Sequence, residues 1–297
     1  MSTEGRNPRT ERIDELPTLE VVRLLAAEDA LVPPVVAAAA PAIARAVDGI
    51  VARMRAGGRL IYAGAGTSGR LAMLDAVECV PTYGVPPGLV VALVAGGERA
   101  LSGSVEDAED SAEGGAAAVR AVGTGPQDTL VGVAASGRTP FVLGALAAAK
   151  EAGALTVAIS CNDPAPILAA AEIAIGLPTG PEPVAGSTRM KAGTAQKLTL
   201  NAISTATFIR LGKVHGNRMI EVAVTNEKLR GRATGLVAEI LGVETAEAAR
   251  LLALANDHVP TAVLIGARGL APEAARALLA AHGGVLRAAL DASAPAR

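Results

Sequence analysis

Short, uninterrupted apolar runs alternate with stretches of helical period along the first two-thirds of the chain. The runs are Arg59–Ala63, Leu89–Ala95, Thr129–Ala135, Ala154–Ser160 and Glu172–Leu177. Runs this short and continuous predict strands buried on both faces, the pattern of a parallel sheet. Leu71, Met73, Leu74 and Val77 follow the first run at helical spacing. Pro140 opens a helix running to Ala152, and GSTRMK at Gly186–Lys191 opens a long one to about Gly212. Upstream, the pattern predicts a short helix over Leu19–Glu28 capped by Thr18. A longer helix runs from Pro34 to Met54, with a kink or break at Pro41. Val105–Val122 reads as a polar helix interrupted near Gly114 and Gly115. The alternation predicts an α/β fold: a doubly wound, mostly parallel five-stranded sheet with helices on both faces. From about Gly242 the chain becomes Ala- and Leu-rich with short helical periods, which predicts a small C-terminal helical bundle. Thr245 and Ala271-Pro272 mark helix starts, and GVETAEAARLLALA and GLAPEAARALLAAH are alike enough to suggest a short two-fold repeat. The expected divisions are an N-terminal helical segment over 1–44, the α/β domain over 45–232 and the helical domain over 233–297.

Composition narrows the partners. With 297 residues, 51% hydrophobic and 19% charged, the chain is long and apolar enough to bury a large core. Aromatics are only 1%, which argues against base-stacking platforms for single-stranded nucleic acid. A net charge of -2 without any basic run argues against nucleic acid in general. Cys79 and Cys161 read as free thiols of a reducing compartment. The opening stretch MSTEGRNPRTERIDELPT lacks the apolar centre of a signal peptide. Cys79–Gly97 is uncharged but broken by Pro81, Pro86 and Pro87, so it reads as loop plus strand and not as a membrane span. The expectation is a cytoplasmic protein with no membrane partner.

The candidate chemistry sits in the loops after strands. Gly64, Gly66 and Gly69 punctuate a turn that holds Thr67 and Ser68 and opens a helix. Glycines let backbone N–H groups approach a phosphate, and the helix dipole favours its charge. Ser136, Gly137, Arg138 and Thr139 form a second hydroxyl-rich loop, although Ser136 and Thr139 would also serve to cap the helix after Pro140. Ligands in such folds bind at the carboxyl ends of strands, where both loops fall. The three glycines also satisfy G-x-G-x-x-G. A dinucleotide site is less favoured, because Gly96 and Gly97 end the second strand where an acidic residue is wanted, with Glu98 just beyond. The first helix also carries Glu78 onward from the phosphate loop. His215, His258 and His282 show no metal spacing.

GRLIYAGAGTSGRLAMLDAVEC, AASGRTP, GSTRMKAGTAQKLTLNAIST and IRLGKVHGNRMIEVAVTNEKL resemble the N-acetylmuramic acid 6-phosphate etherases, a family of sugar isomerase (SIS) domain proteins. The likeness covers nearly the whole chain. It departs at Val80, where the family usually has Pro, and at His215, where it usually has Tyr. The resemblance implies an SIS-type fold and a lyase of amino-sugar and cell-wall recycling. The enzyme would cleave a D-lactyl ether by elimination and rehydration, without metal or other cofactor, and would act as a homodimer. By matching position it makes Glu78 the proton donor and Glu109 the second catalytic carboxylate, with Glu106 one helical turn away as the rival. Gly66, Thr67, Ser68, Ser136, Arg138, Thr139, Ser187 and Lys191 are the expected substrate-binding residues. Arg189 and Lys191 are open to binding the ligand anions or to pairing with acidic helix residues across a subunit interface. A non-catalytic sugar-phosphate sensor on the same fold is the alternative function.

Overall fold

The computed structural model describes residues 3–103, 105, 107–222, 224 and 226–292. Glu106 therefore lies outside the described residues. The chain forms two compact units: Met1–Val77 with Gly88–Ser204, and Glu78–Pro87 with Thr205–Arg297. These divisions do not coincide with the expected ones at 44/45 and 232/233.

The first unit opens with α1 (Thr18–Asp29), α2 (Val32–Ala38) and α3 (Ala40–Arg55). Pro17, not Thr18, stands at the N-cap of α1. Its carbonyl accepts the N–H groups of Glu20 and Val21, and Thr18 makes no side-chain cap. The break expected at Pro41 occurs two residues earlier, between α2 and α3, where the path bends by 57° and Pro41 takes an early position that needs no hydrogen-bonded N–H. There follow β1 (Leu60–Gly64), α4 (Gly66–Tyr83), β2 (Val90–Val94), α5 (Arg99–Ser102), α6 (Ala112–Ala121), β3 (Thr129–Ala134) and α7 (Pro140–Glu151). The unit ends with β4 (Leu155–Ser160), α8 (Pro166–Ala170), β5 (Ile173–Gly176) and α9 (Lys191–Arg210), the last continuing into the second unit.

The five strands form one parallel sheet in the order β2-β1-β3-β4-β5. Every residue of β1, β3 and β4 is buried, because helices cover both faces. Ile61, Leu130 and Ala158 share a core with Phe141, Val142 and Leu146 of α7. On the opposite face Leu155 packs against Gly49 of α3, and Tyr62 reaches Asp75 of α4. Gly114 and Gly115, read as an interruption, lie inside α6. Gly115 is there for packing: a Cβ on it would fall 1.9 Å from the carbonyl oxygen of Phe141 on α7.

The second unit carries the two-residue strands β6 (Val214–His215) and β7 (Arg218–Met219), paired antiparallel. Five helices follow: α10 (Glu227–Leu241), α11 (Thr245–Leu254), α12 (Val259–Arg268), α13 (Pro272–Ala281) and α14 (Leu286–Asp291). Val237, Leu251, Ala262, Val263 and Leu279 form its core, as a C-terminal helical bundle requires. Among the described residues no single helix is long and apolar enough to cross a membrane.

Candidate functional site

The strand order fixes where the site lies. β1 connects outward to β2 on one side while β3 begins the run to the other, so β1 and β3 flank the switch point of the sheet. Gly64 stands in register with Val133. The loop from β1 into α4 and the loop from β3 into α7 therefore leave the same edge side by side. The first loop is tight for a steric reason: a Cβ on Gly69 would lie 2.8 Å from the Gly64 carbonyl and from Val94. Gly66 turns the chain at φ +52°, a conformation that strains other residues.

A cavity of about 410 Å³ opens beside this turn. Gly66 and Arg70 line it from the first loop and α4, Ala95 from the end of β2, and Asp107, Glu109 and Asp110 from the segment before α6. Glu109, which reads in the sequence as one residue of a solvated acidic helix, sits instead on a short 3-10 turn, Ala108–Asp110. That turn follows Asp107, whose φ of +60° is uncommon outside glycine. The Arg70 guanidinium donates to the carbonyls of Ala100 at 3.0 Å and Gly103 at 2.8 Å, tying the segment after β2 to α4. Sequence reasoning missed Arg70. Its place one turn into the helix behind the glycine loop was the available signal.

The expected phosphate ligands divide into two groups. Thr67 is half-buried in the first turn of α4, and its methyl lies 3.6 Å from where a Cβ on Gly193 would stand, so the first loop adjoins the start of α9. Thr139 occupies the N-cap of α7 without a side-chain capping bond, and the Ser136 hydroxyl accepts the Arg138 N–H at 3.3 Å. Arg138 is exposed, and Ser187 is half-buried in the third loop, Gly186–Lys191, which leads into α9. Ser68 is turned the other way. It is buried and donates to Gln196 of α9 at 3.0 Å.

Lys191 is also placed differently from the expectation. Its side chain is fully buried and its ammonium donates to Glu28 of α1 at 2.8 Å. This realises the alternative of pairing with an acidic helix residue, but within the chain. Glu28 also takes Arg9 in a bidentate pair and Asn7 at 2.8 Å. Hydrogen bonding from Arg9, with help from Lys191 and Asn7, outweighs burial and holds the Glu28 carboxyl down at about 2. Glu182, wholly buried, accepts the N–H groups of Lys191 at 2.8 Å and Ala192 at 2.9 Å. A carboxylate of the chain itself thus occupies the positive end of α9, so the third loop offers a ligand its side chains and not the helix dipole. Burial raises the pKa of Glu182, opposed by those two N–H groups.

α4 turns a mixed face inward: Ala72, Asp75, Ala76 and Cys79 are buried. Asp75 accepts from Tyr62 of β1 at 2.8 Å and from Asn201 and Ser204 of α9 at 2.6 and 2.9 Å. Burial raises its pKa against those three donors. Asp75 thereby sets the rotation of α4 about its axis, and Glu78 emerges on the exposed face with Leu74 and Val77. Among the described residues no cluster of three or more His, Cys, Asp or Glu side chains is arranged to hold a metal ion.

The geometry can be set beside known proteins. A family model for the N-terminal SIS domain of glucokinase regulatory protein matches residues 42–150. Two curated relatives, the N-acetylmuramic acid 6-phosphate etherases of Cutibacterium acnes and Salmonella schwarzengrund, are each 50% identical to this chain. The matches cover 98% and 97% of it and 95% and 97% of theirs. Among solved structures, a phosphoheptose isomerase from Francisella tularensis shares the fold, with a TM-score of 0.53 at 18% identity. It covers 65% of this chain and all of the isomerase.

Proposed function

This chain belongs to the N-acetylmuramic acid 6-phosphate etherase family, and from that premise we propose that it cleaves the D-lactyl ether of N-acetylmuramic acid 6-phosphate to D-lactate and N-acetylglucosamine 6-phosphate. The observation that carries this reading is half-identity along nearly the full length of both chains. The cavity that joins Gly66 of the phosphate-type loop to the Glu109 carboxylate supports it.

In this reading the 6-phosphate rests on the backbone of the first loop and on the hydroxyls of Thr67, Ser136 and Thr139, with Ser187 and Arg138 at its edge. Ser68 and Lys191 hold α4 and α9 in place behind it. The sugar reacts as the open-chain aldehyde, in which the C2 proton is acidic. Glu109 takes that proton as the C3–O bond breaks, and Glu78 gives a proton to the departing ether oxygen, so D-lactate leaves and a C2–C3 double bond remains. Water then adds: Glu78, now a carboxylate, takes its proton as hydroxide attacks C3, and Glu109, its proton exchanged with solvent in the meantime, returns one to C2. Both carboxyls end as they began. The family resemblance gives Glu78 as the proton donor and Glu109 as the second carboxylate, and the C2-base role of Glu109 is the complement of that assignment.

We also propose that two copies associate through the outward face of α4. Leu74 and Val77, 55% and 57% exposed, flank Glu78 there, and a second copy would remove them from water. The test of the activity is direct. D-lactate should appear when the protein is given N-acetylmuramic acid 6-phosphate, and not when it is given the unphosphorylated sugar. Tight binding of the sugar phosphate without turnover would favour the sensor.

A further inference from the structure

The residues before α1 cross the first unit as a pinned strap. Thr3, Asn7 and Thr10 are polar yet almost fully buried, each by a bond to a distant segment. Thr10 donates to the Pro183 carbonyl at 2.7 Å, and Asn7 to the Pro181 carbonyl at 3.3 Å as well as to Glu28. Thr3 is held by Asn162, which follows β4. The Thr3 N–H donates to the Asn162 side-chain oxygen at 2.9 Å, and the Asn162 amide nitrogen donates back to the Thr3 hydroxyl at 3.0 Å.

That amide nitrogen also faces the carbonyls of Ala135 and Ser136, both at 3.3 Å. One side chain therefore joins the strap to the backbone of the second hydroxyl-rich loop at the residue that begins it. The backbone N–H of Asn162 is fixed in turn by the Ser160 hydroxyl at 3.1 Å, so the amide is aimed from a strand end. The same cluster borders a second cavity of about 340 Å³, lined by Glu4 of the strap together with Ser136, Arg138, Asn162, Asp163 and Pro178.

We propose that Asn162 is a positioning residue for phosphate binding, and that the strap acts through it to hold the Ser136–Thr139 loop in its binding shape. This rests on the reading of that loop as a phosphate ligand. A loop hydroxyl contributes to affinity only in so far as it already points at the phosphate. Asn162 faces the carbonyls of the two peptide links that flank the Ser136 Cα, and so bears on the direction in which the Ser136 side chain leaves the backbone.

The test uses three variants of the full chain, with inorganic phosphate as a competing ligand. Asn162→Ala should raise both KM and the phosphate inhibition constant about tenfold, as expected for losing the orientation of one or two hydrogen bonds to a charged group. It should leave kcat within about threefold, since no reacting bond is touched. Thr3→Val, which removes the strap's hydroxyl acceptor and its long 3.5 Å bond to Glu4, should move the same two constants in the same direction by a smaller factor. Ser136→Ala is the control for the loop itself. If Ser136→Ala weakens phosphate while Asn162→Ala and Thr3→Val leave it unchanged, the positioning role is wrong and the loop reading stands. If Ser136→Ala has no effect either, the loop reading has failed. A fall in thermal midpoint with unaltered KM and phosphate inhibition in the folded protein would reduce Asn162 to a purely structural residue and overturn the proposal.

Discussion

Glu28 and Lys191 show how much a single buried pair decides. Both side chains are removed from water, and Arg9 closes the pair from the rim. The Glu28 carboxyl, held at about 2, lies below its ordinary value of 4.5. Its stabilising contribution is therefore complete above about pH 4.5 and is lost as pH falls from there towards 2. Unfolding free energy measured by denaturant titration should decline across that interval in the natural protein. In Glu28→Gln the decline should be shallower. Glu28→Gln should also be less stable near neutrality by about 3–5 kcal/mol, because Lys191 is then buried without its counter-ion, and adding Lys191→Met should recover much of the loss. If the double variant is no more stable than Glu28→Gln, the loss does not come from an uncompensated Lys191. At the ligand side, Ser136→Ala should weaken substrate binding by roughly 1.5–3 kcal/mol, read as a rise in KM. Neither the burial of Lys191 nor the inward turn of Ser68 was legible in the sequence. A lysine in a polar loop reads as a ligand for an anion. Its partner Glu28 lies 163 positions away, a separation along which no local pattern runs.

The elements were more legible than their contacts. Parallel strands covered on both faces must be apolar at every position, so β1, β3 and β4 announce themselves as continuous runs, and each expected strand is present with its ends shifted by about one residue. The loops were legible because glycines and hydroxyl residues cluster behind two strand ends, although Ser68 turns out to bond Gln196 instead of facing a ligand. The crossing of α6 and α7 was not. Gly114-Gly115 looks like a helix break when only propensity is considered, whereas in the fold Gly115 meets the Phe141 backbone and Gly144 of α7 meets the Ala112 carbonyl, each leaving under 2 Å for a Cβ. Helix propensity alone would favour Gly115→Ala by about 1 kcal/mol. Because backbone cannot withdraw as a flexible side chain can, the variant should instead be destabilised, by on the order of 2 kcal/mol or more. A thermal midpoint for Gly115→Ala equal to or above that of the natural protein would contradict this packing.

At the scale of the whole molecule, the proposed pairing of two copies rests on the outward face of α4. Leu74 and Val77 lie exposed around a glutamate to which the resemblance gives a catalytic role. Light scattering at micromolar concentration should give twice the chain mass of 29.5 kDa, and Val77→Asp should shift the population towards single chains and lower activity with it. A single chain of full activity would remove the interface from the account. The site as a whole was legible only in parts. Sequence pattern located its loops, resemblance proposed the two carboxylates, and only the fold brought Glu109 to the cavity beside Gly66, which Glu78 does not line. What remains most exposed to refutation is the chemistry. Glu78→Gln and Glu109→Gln should each cost on the order of 10²–10⁴ in rate without loss of fold, but such losses alone do not distinguish elimination from displacement. Turnover in heavy water does. If Glu109 removes the C2 proton and water later restores one, N-acetylglucosamine 6-phosphate formed in heavy water must carry deuterium at C2, seen by mass spectrometry as a gain of one mass unit after exchangeable sites are washed back. Product that carries neither deuterium at C2 nor, from oxygen-18 water, the label at its C3 hydroxyl would contradict elimination and both carboxylate roles with it.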